Sequence, residues 1–190
     1  MRLATTDAGN ELLQRDPLAL LIGMLLDQQI PMEKAFTSPS VLRERLGTDL
    51  DARTIADYDP ERFEELFRTP PALHRFPAAM AKRVQALAQV LVERYDGDTT
   101  ALWADVRDGR ELVQRIAALP GFGEQKAKIF AALLGKQLGV QPRGWRAAAG
   151  AYGEKGSFRS VADVVDDASL KQVRAFKQQQ KAAAKAAATD

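Results

Sequence analysis

Apolar residues in this chain recur every three or four positions, and no segment alternates with a period of two over a useful length, so the pattern predicts helices and no strands. The strongest run, Leu18 to Leu26, is apolar on all sides. It follows Asp16-Pro17, an acidic cap and a first-turn proline, which predicts a helix over 18–30 buried at the centre of the molecule. Asp27-Gln28-Gln29-Ile30-Pro31 ends it, and the helical pattern resumes from Met32 to Phe36. Short helices are expected over Ser38–Leu46 and Pro60–Phe67, the second with Phe63, Leu66 and Phe67 on one side. Pro70-Pro71 breaks the chain. Pro77 then opens a long amphipathic helix carrying Val84, Leu87, Leu91 and Tyr95, which Asp96-Gly97 stops. Two more helices, Leu112–Leu119 and Ala127–Leu138, flank a turn. Gln141 to Ser160, rich in Gly and Arg, reads as a loop or short helix. The expected fold is all-α with many short helices.

The turn between those two helices is Leu119-Pro120-Gly121-Phe122-Gly123-Glu124-Gln125-Lys126-Ala127. Glycine alone takes positive φ without strain and lets another backbone approach without a Cβ in the way. The first amides of the following helix are unpaired and sit at its positive dipole end, an arrangement suited to an anion such as a phosphate. Lys126 and Lys128 fall in the first turns of that helix. The same spacing also serves a plain helix–turn–helix corner, because Pro and Gly punctuate many helical loops.

LPGFGEQKA resembles the hairpin of the HhH-GPD (helix-hairpin-helix) family of base-excision-repair DNA glycosylases, whose usual form is LPGVGxxTA. The likeness runs from about Asp16 to Gly139. It implies an all-α, two-lobed fold with a DNA groove between the lobes, here a helical domain over 1–167 with its hairpin at 117–128. It also implies contact with the backbone of double-stranded DNA, damaged or bent, through Gly121, Phe122, Gly123, Gln125, Lys126 and Lys128. By the same likeness the carbonyls of Ala117, Leu119 and Phe122 would hold a monovalent cation. A second likeness lies in Leu25-Leu26-Asp27-Gln28-Gln29-Ile30, similar to the family's glutamine-bearing turn. Gln29 would enter the duplex and fill the gap left by an extruded base; an uncharged helix end is the simpler reading of the same pair. Such an enzyme takes the target nucleotide out of the stack, at a cost of a few kcal/mol, into a pocket walled by aromatic or apolar groups. Trp103, Trp145, Phe130 and Tyr152 are available, and each equally suits the core.

The chain departs from the family where the chemistry is concentrated. Breaking an N-glycosidic bond builds positive charge on the sugar, which a nearby carboxylate stabilises. Gln141 stands where the family carries that aspartate, and no Asp or Glu occurs from Gln125 to Gly153. Gln125 stands where bifunctional members carry a Schiff-base lysine, so a lyase is not expected. Glu154, Asp163, Asp166, Asp167 and Asp27 are the nearby acids. Asp163, Asp166 and Asp167 read first as a capping or solvated cluster, and none of the five acids is assigned as a catalyst. With no cysteine, the family's iron–sulfur loop is absent, and no cofactor beyond the hairpin cation is expected.

Composition narrows the remaining choices. At 190 residues, with 46% hydrophobic and 27% charged, the chain is of ordinary globular make-up rather than disordered. Zero cysteines exclude disulfides, and one histidine, His74, cannot build a zinc cluster; beside Arg75 and Pro77 it reads as a surface or packing residue. No apolar run reaches the roughly 20 residues that span a membrane. The polar start lacks a leader pattern, and the expected location is cytoplasmic, with the nucleoid.

Charge is uneven: the part from Leu119 onward carries twelve Lys or Arg against six acids, and the part before it fifteen against nineteen. Ala168 to Asp190 forms a basic tail of high helix propensity, with Lys171, Arg174, Lys177, Lys181 and Lys185 along one face. Leu170, Val173 and Phe176 would dock its start. Lys171, Arg174 and, from the preceding loop, Arg143 are expected at phosphates, where binding weakens with salt; a solvated tail has the same composition. Three readings follow: a monofunctional DNA glycosylase, a catalytically silent binder of damaged or distorted duplex, and a helical scaffold for other proteins. In each the protein is expected to be a monomer off the membrane.

Overall fold

The computed structural model describes residues 1–187, which hold eleven α-helices and no strand. The first lobe comprises α1 (Asp7–Arg15), α2 (Pro17–Leu26), α3 (Met32–Leu46), α4 (Ala52–Asp57), α5 (Pro60–Arg68) and α6 (Pro77–Tyr95). The second comprises α7 (Ala101–Ala104), α8 (Gly109–Ala117), α9 (Glu124–Gln137), α10 (Trp145–Ala148) and α11 (Asp167–Ala187), with two 3-10 turns at Gly150–Gly153 and Val161–Asp163. Within the first lobe α2 packs on α3, and α4 and α5 pack on α6; within the second, α8 and both 3-10 turns pack on α9. One apolar core runs through both lobes.

Helix α2 is the central helix. Asp16 caps it by accepting from the Leu18 and Ala19 amides, and Pro17 opens it. All nine residues from Leu18 to Leu26 are buried, and each fully buried Leu, Ile or Met contributes about 1.5–3 kcal/mol. The helix ends at Leu26, not at Ile30, because the chain turns through 27–31.

Other elements differ from expectation in an instructive way. Met32 to Leu46 is one helix through Pro39, not two. A proline removes one backbone donor and crowds the preceding turn. Around it, the hydroxyls of Thr37, Ser38 and Ser40 donate to the carbonyls of Glu33, Lys34 and Thr37, and buried Phe36 and Leu42 hold the helix against the core. Thr6 caps α1, a helix too poor in apolar positions to declare itself. The hairpin helices also begin earlier than expected, at Gly109 behind an Asp108 cap and at Glu124 behind Gly123. The long helix over 77–95 ends as expected, with Asp96 at φ 53° and Gly97 at φ 80°.

Gly23 shows how tightly α2 and α3 meet: a Cβ there would lie 2.7 Å from Cδ1 of the buried Phe36 ring. Alanine in place of glycine favours the helix by about 1 kcal/mol, but overpacking costs about 1–3 kcal/mol. Packing should prevail, so Gly23→Ala is expected to lower stability by about 1–2 kcal/mol in urea unfolding, with an unchanged denaturant slope.

Candidate nucleic-acid interface

A groove of about 490 Å³ lies between the turn that ends α2 and the second lobe, within the usual range of about 300–1,000 Å³ for ligand sites. Its floor is Asp27, Gln28, Gln29 and Ile30. Gln125 and Ile129 of α9 form one wall with Tyr152, and Arg159, Ser160 and Val161 continue it. Phe176, Lys177 and Gln180 of α11 close the third side.

The floor divides two adjacent glutamines between two tasks. Gln28 is fastened: its Nε2 donates to the Leu25 carbonyl at 2.7 Å, and its Oε1 accepts from Arg83 at 3.0 Å. Its own carbonyl accepts from Nε2 of His74 at 2.9 Å. Gln29 is exposed and left-handed at φ 56°, a strained setting for a residue with a Cβ. Its side chain lines the groove with no hydrogen bond among the described residues.

His74 was legible only as a surface or packing residue. It is 1% exposed, and the Phe76 amide donates to its Nδ1 at 3.0 Å, which leaves the proton on Nε2, facing Gln28. Burial lowers its pKa, so the neutral ring is the form that braces the turn.

The hairpin joins the floor from the other lobe. Gly121 has φ 80°, and a Cβ there would lie 2.8 Å from Leu25 Cδ1, so the fold itself requires this glycine. Gly123 is different: its φ is −113°, nothing lies within 4 Å of where its Cβ would be, and no side chain caps α9. Lys126, expected to face a phosphate, turns inward instead. Its Nζ donates to the carbonyls of Met24 and Leu25 at 3.0 and 3.1 Å, the negative end of the α2 dipole. Burial pushes its amine down to about 8, against the pull of Asp27. Lys128 pairs with Glu124 at 2.6 Å. The hairpin therefore presents main-chain amides, not free lysines. Of the three carbonyls that a cation would use, Leu119 accepts from the Phe122 amide, whereas no loop amide donates to Ala117 or Phe122. Among the described residues no cluster of His, Asp or Glu could hold a metal ion.

The remaining expected site residues are dispersed. Gln125 lines the groove and donates to the Tyr152 hydroxyl at 2.9 Å. Gln141 lies outside the groove, on a separate depression, where its amide donates to the Gly135 carbonyl at 2.8 Å. Arg143 is exposed away from the groove, its carbonyl holding the Gly109 amide. Lys171 is exposed on α11, and Arg174 pairs with Glu33 of α3. Of the aromatic candidates, Phe130 and Trp145 are buried and Trp103 packs on Phe130; only Tyr152 reaches the groove. Leu170 and Val173 dock α11 as expected. The Lys185 side chain and residues 188–190 of the tail lie outside the described part.

Of the two readings of Asp163, the capping one holds and the solvated one does not: with Ser160 it forms a capping box on the 3-10 turn at Val161–Asp163. It is buried and takes Lys136 at 2.5 Å, with hydrogen bonds from Ser157 and from the amides of Arg159 and Ser160. This network shapes the wall that carries Arg159 to Val161. Asp166 is held by Ser169 as a cap.

The family model of the HhH-GPD superfamily base excision DNA repair protein matches residues 22–189. The chain belongs to this superfamily. The match spans the floor turn, the hairpin and α11 together, so it covers every element that builds the groove. A search of the curated proteins finds none that matches. HhH-GPD membership gives the all-α fold its assignment and base-excision DNA repair of the glycosylase type as the chain's field, with DNA as partner.

His74 gives a pH test of this floor. Because its folded pKa lies below the ordinary 6.5, the unfolded chain takes up the proton first as pH falls. Stability is therefore complete above about pH 6.5 and declines below it. His74→Gln removes the titration, and the fall in urea midpoint between about pH 6.5 and 5 should shrink.

Proposed function

We propose that this protein is a monofunctional DNA glycosylase that admits an extruded damaged base to the interlobe groove and hydrolyses its N-glycosidic bond, acting as a monomer on cytoplasmic, nucleoid-associated DNA. The observation that carries the reading is Gln29. It is the one exposed residue of the floor, held on a strained left-handed backbone, and its side chain lines the groove while Gln28 and His74 fix the chain beside it. A side chain so placed can fill the space a base vacates. The uncapped amides at Gly123 to Gln125 supply a phosphate contact, and a hairpin cation on the Ala117, Leu119 and Phe122 carbonyls would add positive charge beside it. The neutral Gln125 supports hydrolysis without strand cleavage, since it has no amine to attack the sugar.

A second reading, a silent reader of damaged or distorted duplex, is favoured by Gln141. Its neutral amide is committed to Gly135 outside the groove. Labelled duplexes carrying a panel of damaged bases separate the two. A glycosylase releases free base from at least one lesion, and the strand breaks only after alkali. Strand cleavage without alkali, with trapping by borohydride, would overturn the monofunctional assignment. Tight binding without release would favour the silent reader.

The hairpin carries its own test. Serine is a preferred N-cap, so Gly123→Ser should fold at least as stably as the parent while its hydroxyl occupies the amides offered to phosphate. Duplex affinity is expected to fall about tenfold at low salt. Gly121→Ala should instead lose stability and affinity together, because it strains φ and collides with Leu25. Unchanged affinity in Gly123→Ser would remove the hairpin from the interface.

A further inference from the structure

The acids around the groove are nearly all committed. Asp163 is taken by Lys136 and its neighbouring amides, Glu124 by Lys128, Glu33 by Arg174, and Glu154 by Arg159. Asp27 is the exception. It is the only acid lining the groove, and its carboxylate makes no hydrogen bond or ion pair among the described residues. Its backbone is fixed, with its amide donating to the Gly23 carbonyl at 3.0 Å at the end of α2 and the Lys126 amine on the nearby Met24 and Leu25 carbonyls. Lys177 of α11 closes the groove on the opposite side.

We propose that Asp27 is the catalytic carboxylate of this groove, in place of the one that position 141 lacks. The inference rests on the reading that the groove receives an extruded nucleotide. The bond from C1′ of the sugar to the base nitrogen breaks, and its electron pair leaves with the base, which takes up a proton from solvent. Positive charge grows on the sugar at C1′ and its ring oxygen, and the Asp27 carboxylate stabilises it. Water then bonds to C1′ and gives its proton to Asp27, which returns it to solvent. The sum is one water consumed, one free base and one abasic site.

Two features of the site suit this role. The partial burial that pushes the Asp27 carboxyl up also strengthens its interaction with a nearby cation, since less water screens it. Lys126 and Lys177 pull in the other direction and favour the ionised form that the step requires. A carboxylate left without a partner in a concave site costs stability unless something positive arrives to meet it.

The test does not depend on knowing the lesion. Duplexes carrying a cationic pyrrolidine nucleotide mimic the charged sugar, and those carrying neutral tetrahydrofuran mimic its shape alone. The parent protein should bind the pyrrolidine duplex about tenfold or more tightly than the tetrahydrofuran duplex. Asp27→Asn, which keeps the shape of the side chain, should lose that preference while binding the tetrahydrofuran duplex no more weakly. Asp27→Glu keeps the charge and should retain part of the preference, which guards against a folding defect in the first variant. Where a lesion is released, Asp27→Asn should slow release about a hundredfold, and adding Gln141→Asp should not restore it. A preference that survives Asp27→Asn, or its absence in a parent protein that binds both duplexes, overturns the assignment and leaves DNA binding standing. Failure to bind either duplex overturns the proposed function itself.

Discussion

Lys126 reaches from the first turn of α9 into the other lobe and places its amine on the last carbonyls of α2. Desolvation opposes this, as the lowered amine pKa records, and two charge-assisted hydrogen bonds at the negative end of a helix offset it. The rest of the interface follows from that contact. It sets the hairpin on Leu25, where Gly121 leaves just enough room, and it holds the floor turn at a fixed distance from Gln125 and Tyr152. The Gly121–Leu25 contact and the Arg174–Glu33 pair join the same two lobes beside it. The joint also explains why the hairpin offers backbone to its surroundings: its most inward cation has become part of the frame.

Charge on the second lobe is spent in a similar way. Lys136 goes to Asp163, Lys128 to Glu124, and Arg174 to Glu33 of α3. The first of these is buried and builds a wall, so losing one partner would leave an uncompensated charge inside. The other two are more exposed and weaken with salt. A count of basic residues thus overstates how many stand ready for phosphate. Helix α11 is more than a basic tail, because Phe176 and Lys177 make it one side of the site, and Arg159 stacks on Phe176.

How much of this could be read from the chain depended on whether the deciding contact was local. The central helix declared itself through an unbroken apolar run with its own cap, and the hairpin through a proline and two glycines at fixed spacing. The long helix over 77–95 carried both its start and its stop. What stayed hidden was set by partners far away in sequence. Lys126 meets Met24 and Leu25 about a hundred positions earlier, and His74 braces Gln28 from 46 positions on. Nothing near Pro39 announced that hydroxyls would sustain the helix around it. Position 141 was legible as a neutral residue, but its displacement from the groove was not, since that depends on how the chain leaves α9. The two glutamines of the floor looked interchangeable, and only packing told them apart.

The left-handed backbone at Gln29 costs about 1–2 kcal/mol relative to an ordinary conformation. That cost is met once, when the chain folds, through the bonds that pin Gln28 beside it. In the proposed reading, a side chain whose backbone is already held this way needs no rearrangement of the main chain on arrival at a duplex. The encounter is then preorganised: recognition can draw on how readily the DNA opens, because the protein's own distortion has been settled beforehand.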